Sequence, residues 1–178
     1  RPEFRPATEA EMRRIKEVQE SVLCRIPPFP GGDTGHFHPE YETIFRIGIA
    51  GMLKDIAARK AREGDSAKRP CLDACETALR GLSAYVARVA DACEAAAARE
   101  DTGAEENLRK QAAACRRLTD EPPATFHEAI QLMFLVIVAL WFGEDHGLTS
   151  PGRMDQTLRP FYEADLAKGR ITPDRAFD

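Results

Sequence analysis

The chain has 178 residues, with 25 Lys and Arg against 29 Asp and Glu and a formal charge of -4. Its 43% hydrophobic and 30% charged content fits one core-forming domain, or a piece of a larger one, and excludes collagen-like and wholly disordered chains. A nucleic-acid binder would show a basic excess or stripe, which is lacking. The longest apolar run, Leu132 to Phe142, has 11 residues, where a membrane span needs roughly 20.

The opening residues carry no positive-then-apolar leader pattern. Five cysteines, at 24, 71, 75, 93 and 115, are odd in number and include no Cys-x-x-Cys pair. A reducing cytoplasm is therefore expected, with no disulfide framework. Cys71 and Cys75 lie four apart, but Cys75 and Cys93 fall on an apolar helical stripe. The cysteines thus read as small buried hydrophobes, and no zinc site is assigned.

Residue 1 is Arg, and the expectation is a chain cut at both ends. Met12, Ile15, Val18, Val22 and Ile26 recur every three or four residues, which predicts a helix over 7–25. A Pro- and Gly-rich loop follows through Gly35, and His36-Phe37-His38-Pro39 closes it. A second helix should start near Pro39, carry Tyr41, Phe45, Ile49, Met52 and Ile56 on one face, and end around Lys60, Arg62 and Gly64. Gly48 and Gly51 inside it each cost about 1 kcal/mol relative to Ala. Close approach of another backbone would compensate.

Leu72, Cys75, Leu79, Leu82, Val86, Val89, Cys93 and Ala96 alternate spacings of three and four. This stripe predicts a long helix packed inside a domain, with a coiled-coil seam as the alternative. After Asp101-Thr102-Gly103, the residues Leu108, Ala112, Cys115 and Leu118 predict a shorter antiparallel helix. Pro122-Pro123 stops it. Thr125 and Glu128 then form a capping box that opens a helix through the apolar run. Being apolar on all sides, that helix should be buried on all sides, as in the interior of a larger protein. Ser150 before Pro151 predicts a capped helix over 151–168. Thr172-Pro173-Asp174 is a further helix start, with only four residues after it.

Two polar loops carry the chemistry-bearing residues. The first joins Asp33, His36 and His38; two histidines two apart with a carboxylate suit a metal, but in such a loop they more often bond or cap. The second holds Asp145, His146, Thr149 and Ser150. Its order hints at a Ser-His-Asp hydrolase, but no Gly-x-Ser-x-Gly elbow is present. His127, in a first helical turn, reads as packing or capping. No phosphate loop or dinucleotide fingerprint occurs.

Three segments in order resemble the pyruvate formate-lyase family of glycyl radical enzymes. They are Gly35-His36-Phe37-His38-Pro39-Glu40-Tyr41-Glu42 with the glycine-bearing helix after it, Pro122-Pro123-Ala124-Thr125-Phe126-His127-Glu128-Ala129, and Ser150-Pro151-Gly152-Arg153-Met154-Asp155-Gln156 followed by Pro160, Phe161, Tyr162 and Asp165. The resemblance implies a mainly α fragment, the helical shell portion of a larger glycyl radical enzyme α/β barrel. Residues 1–178 would form a partial pyruvate formate-lyase-type domain. In the family, a backbone glycine in a C-terminal loop stores a radical installed by a radical S-adenosylmethionine activating enzyme, and a barrel cysteine passes it to a small-molecule substrate. Neither loop is in this sequence, so no catalytic residue, metal ligand or directly bound cofactor is assigned to it.

The resemblance further implies an anaerobic lyase, cleaving C–C, C–O or C–N bonds of a small metabolite in the dehydratase or eliminase branch. Formate C-acetyltransferase is the alternative within the family. Substrate-contact candidates are His36, Asp145, His146 and Ser150. Leu148 stands where dehydratases tend to carry a serine, so that serine's role is not carried over. Expected partners are the substrate and the activating enzyme, with a homodimer left open and neither nucleic acid nor membrane. The competing reading is a standalone helical interaction module built on the 72–96 stripe.

Overall fold

A computed structural model describes residues 8–22, 38–99, 103–143 and 149–177. The described residues form α-helices and one short 3-10 turn, with no β-strand. The helices are α1 (Glu9–Val22), α2 (Tyr41–Arg62), α3 (Arg69–Ala97), α4 (Glu105–Asp120), α5 (Phe126–Gly143), α6 (Met154–Thr157), α7 (Arg159–Ala167) and α8 (Pro173–Phe177). The 3-10 turn, Ser66–Lys68, leads into α3.

The predicted helices are present, with informative differences. α1 is opened by a reciprocal cap: the Thr8 amide donates to Glu11 Oε2 at 2.8 Å and the Glu11 amide to Thr8 Oγ1 at 3.3 Å. α2 bends at Gly48, whose φ of 68° and ψ of 176° are not helical. A Cβ at Gly48 would lie 2.9 Å from the Pro122 nitrogen and 3.0 Å from the Glu121 carbonyl carbon. Gly48 therefore admits the backbone of the 121–122 stop, as expected. Gly51 does not serve this purpose, since its nearest neighbour is the side chain of Ile47 one turn earlier.

α3 and α4 form an antiparallel pair, marked by Cys93 with Gln111 and by Arg116 with Asp91 and Glu94. α2 packs on both, and α5 packs on α3, α4 and α7. The core joins Tyr41, Ile44, Phe45 and Ile49 of α2 to Val86 and Ala90 of α3, Cys115 and Leu118 of α4, Leu132, Met133 and Leu135 of α5, and Leu158. The α3 stripe is thus used within the fold near Val86, while Cys75 and Ala96 at its ends are exposed. Of the described cysteines, only Cys115 is fully buried; Cys71 and Cys75 face solvent, contrary to the expectation of buried hydrophobes.

The helix expected over 151–168 is two helices meeting at Leu158. Pro160 explains the break: it has no N–H to bond the preceding turn, and its ring clashes with the carbonyl four residues back. Ser150 caps neither helix. Thr172 does cap α8, its Oγ1 accepting from the Arg175 amide at 3.3 Å.

α5 is a helix over its whole apolar run, but the described residues cover one side only. Ala129, Leu132, Met133 and Leu135 are buried, whereas Phe134 is 59% exposed, Trp141 54% and Phe142 81%. Beside this bare face, a groove of about 700 Å³ runs between α3 and α5, lined by Leu79, Leu82, Tyr85, Val136, Leu140 and Phe142. No helix among the described residues is long and apolar enough to cross a membrane.

Candidate functional site

The sequence singled out two polar loops 112 residues apart, and the fold brings their described ends together. His38 leads into α2. Its neighbour Glu40 caps that helix, both carboxylate oxygens accepting from the Thr43 amide at 3.1 Å. Hydrogen bonding from Thr43 holds the Glu40 carboxyl below its ordinary range. Glu40 is therefore fixed as an anion with its oxygens committed to the helix end.

The second loop returns as the turn Thr149 to Met154. The Ser150 hydroxyl oxygen accepts from the Gly152 amide at 3.3 Å, a local turn bond of the kind serine favours. Gly152 has a φ of 68°, in the left-handed region. The imidazole of His38 stands against it: a Cβ at Gly152 would come within 2.1 Å of His38 Cε1. His38 Nδ1 lies 3.3 Å from the Ser150 carbonyl oxygen. A carbonyl only accepts, so Nδ1 carries the proton in this contact.

Tyr41 lies next to His38, their ring centroids 5.9 Å apart. Phe45 follows at 5.7 Å from Tyr41, and Phe161 of α7 meets Phe45 edge-on at 5.5 Å. The Tyr41 hydroxyl is buried with no hydrogen-bond partner, and burial pushes its pKa up to about 12. It stays a neutral phenol at any physiological pH.

Of the sequence-predicted site residues, Ser150 sits in this contact through its carbonyl and its turn bond. His36, Asp145 and His146 lie outside the described residues. His38, Gly152 and Tyr41 are not among the substrate-contact candidates, although His38 is read from the sequence as a bonding or capping histidine, in line with its contact to the Ser150 carbonyl. The available signal for them was the second histidine of the pair and the glycine between Pro151 and Arg153. Arg153, exposed, makes a two-pronged pair with Asp155 at 2.9 and 2.7 Å; this pairing holds the Asp155 carboxyl below its usual range.

A second cluster of charges surrounds the start of α5, and its geometry is structural. Glu128 Oε2 accepts from the Ala124 amide at 2.7 Å, the Thr125 amide at 3.1 Å and Arg117 at 2.6 Å, while Oε1 accepts from Arg117 Nε at 2.7 Å. Burial pushes the Glu128 pKa up, but the hydrogen bonds from Arg117 and the two amides outweigh it, and the net shift is downward. The buried carboxylate of Asp165 accepts from the Phe126 amide at 2.8 Å. Its other oxygen faces Arg170 Nε at 2.9 Å, off the line of a good hydrogen bond, so that contact is electrostatic. Neither acid is free for proton transfer. No group of three or more His, Cys, Asp or Glu side chains among the described residues is placed to hold a metal ion.

The pyruvate formate lyase-like family model matches residues 3–178. The chain belongs to the pyruvate formate lyase-like family of glycyl radical enzymes. It is 34% identical over 148 residues to an isethionate sulfite-lyase of Nitratidesulfovibrio vulgaris, covering 78% of this chain and 18% of the relative. A (2S)-3-sulfopropanediol dehydratase of Klebsiella oxytoca is 28% identical over 179 residues, covering 96% of this chain and 21% of the relative. Among solved structures, a glycyl radical enzyme from Archaeoglobus fulgidus superposes with a TM-score of 0.71 at 30% identity, covering 81% of this chain and 19% of that one. The chain spans about one fifth of the length of these pyruvate formate lyase-like relatives, and it matches a helical part of the larger barrel enzymes.

Proposed function

We propose that this chain is a shell segment of a glycyl radical lyase. Its His38–Ser150 junction would support the substrate-facing loops carrying His36, Asp145, His146 and Ser150. The observation that carries the reading is the junction itself. Two family-like motifs, separated by 112 residues, meet through His38 and Ser150 at 3.3 Å. In the complete enzyme, the glycyl radical, installed by a radical S-adenosylmethionine activating enzyme, would supply hydrogen-atom abstraction through a barrel cysteine.

The cysteines among the described residues do not fit that relay. Cys115 is buried among helices, and burial, aided by Cys93, pushes its pKa up to about 11. Cys71 and Cys75 lie on the outer surface of α3. The radical-bearing elements therefore belong to a longer parent chain, and catalysis to that parent in an anaerobic cytoplasm. The bare face of α5 supports the same view, since a contiguous apolar patch is seldom left to solvent.

The relatives' names favour lysis or dehydration over formate C-acetyltransfer. The sulfite-lyases and dehydratases among them support a small hydroxylated substrate that loses water or an anionic leaving group, and the decarboxylases support C–C cleavage. The chain's part in that chemistry is exclusion of water and placement of polar side chains. The helical-module reading loses its main feature, because the middle of the α3 stripe is already packed on neighbouring helices. A homodimer of the parent remains part of the proposal.

The test is anaerobic activation of the parent protein with its activating enzyme and S-adenosylmethionine. The expected outcome is a glycyl radical signal by electron paramagnetic resonance, and turnover of isethionate, a sulfopropanediol or a related small alcohol. A fully activated protein that shows the radical but converts only pyruvate and coenzyme A would replace the lyase reading with formate C-acetyltransferase.

A further inference from the structure

We propose that His38 is a positioning residue whose imidazole pins the Ser150–Gly152 turn onto the start of α2, and so holds the described ends of the two polar loops together. The inference rests on the functional reading above and assigns a task to a residue that reading does not place against substrate.

Three contacts converge on the ring. Nδ1 donates to the Ser150 carbonyl at 3.3 Å, a long bond that by itself holds little. The ring occupies the volume that a side chain at position 152 would need, because the nearest approach of a Cβ there would be 2.1 Å. Its other side meets Tyr41 at 5.9 Å between centroids. Tyr41 is 2% exposed and cannot shift without disturbing Phe45 and the core. The ring thus has a rigid floor, a fitted wall and one polar anchor.

Packing alone does not account for this placement. His38 is itself exposed, so it adds little to the core, and an exposed imidazole gains most from a directed contact. Gly152 completes the fit, since its left-handed backbone turns the chain and its missing side chain leaves room for the ring. His36 is two residues before His38 and His146 four before Ser150. A lock at His38 therefore ties the described residue after one candidate segment to the described turn after the other.

Hydrogen–deuterium exchange of the full chain, read by mass spectrometry, tests the lock. The reporters are the amides of Gly152, Met154, Gln156 and Thr157, which are bonded within the turn and α6. His38→Ala is expected to raise their exchange at least tenfold while peptides from α3 and α4 keep their protection. His38→Asn, whose amide can still donate to the Ser150 carbonyl but which lacks the ring against Gly152 and Tyr41, is expected to recover part of that protection. Gly152→Ala should loosen the turn similarly, and the double variant should be no worse than the worse single one.

Unchanged exchange in His38→Ala overturns the proposal. So does loss of protection in α3 and α4, which would make His38 a general support of the fold, and so does a failure of His38→Asn to recover. The experiment needs neither radical nor substrate. A negative result here leaves the lyase reading standing, and a parent without radical chemistry leaves the lock intact.

Discussion

The carboxylate of Asp165 in α7 accepts a hydrogen bond from the backbone amide of Phe126, the first residue of α5, at 2.8 Å. Asp165 is 2% exposed and 39 residues away in sequence. A helix start leaves backbone amides without partners, and here a distant acid satisfies one of them. The α6–α7 unit is thereby fastened to the entry of the apolar helix. Asp165→Ala would strand the Phe126 amide and leave Arg170 without its partner, costing on the order of 2–3 kcal/mol. Asp165→Asn keeps an acceptor oxygen and should cost about half as much. Urea unfolding of the two variants checks the order.

Glu128 makes stability depend on acid. Its carboxyl sits below the ordinary value of 4.5 in the folded chain. A lowered folded pKa contributes stability that is fully present above the unfolded value and disappears as pH falls through the folded one. Melting temperature should therefore fall as pH drops below about 4.5. Glu128→Gln should flatten much of that slope and cost on the order of 1–3 kcal/mol at neutral pH, because Arg117 loses the more buried of its two charged partners and keeps only Glu121. Melting curves from pH 3 to 7 (roughly, the carboxylate range) for both proteins provide the check.

Two glycines in helices should respond in opposite directions to the same substitution. Gly48→Ala forces a side chain into left-handed backbone and against Pro122 and Glu121, and is expected to destabilise by about 2 kcal/mol or more. Gly81, inside α3, has nothing within 4 Å of where a Cβ would stand. Gly81→Ala should stabilise by about 0.5–1 kcal/mol through helix propensity. Chemical denaturation of the pair measures both signs.

Thiol chemistry should separate the cysteines. Cys71 and Cys75 are exposed, while Cys115 is enclosed and its thiol pushed up to about 11. Alkylation follows thiolate character and access. In a short pulse of iodoacetamide at neutral pH, peptides with Cys71 and Cys75 should be labelled. The peptide with Cys115 should stay unlabelled until denaturant is added. Peptide mass spectrometry reads the sites individually.

Much of the helical frame was legible in the sequence because its signals are local. Thr125 and Glu128 marked the start of α5, Pro122-Pro123 the end of α4, and Thr172 the cap of α8. The break between α6 and α7 was also written locally, in Pro160, but the capping signal at Ser150 suggested one longer helix. The stripe on α3 was correctly placed on a helix, but its burial depends on where neighbouring helices lie along it. Cys75 stands about three turns before Val86 on nearly the same side of the helix, yet Val86 is buried in the core and Cys75 is exposed. The choice of His38 to meet Gly152 is non-local. Nothing near residue 38 encodes a turn 112 residues later, and the fit depends on a missing side chain at 152. For α5, composition indicated an apolar helix on every side, whereas the neighbours that decide which side is covered lie elsewhere in the chain.

The central claim is that this chain forms the helical shell of a larger glycyl radical lyase. Sequencing the source DNA beyond the codon for Asp178 tests it most directly. The account predicts a continuing open frame that encodes a Gly-Cys-x-Glu segment and, further on, an Arg-Val-x-Gly-Tyr loop. A Cys-Cys pair in place of the first would redirect it to formate C-acetyltransfer. A stop codon immediately after residue 178 would contradict it, leaving a helical protein with no means of radical catalysis.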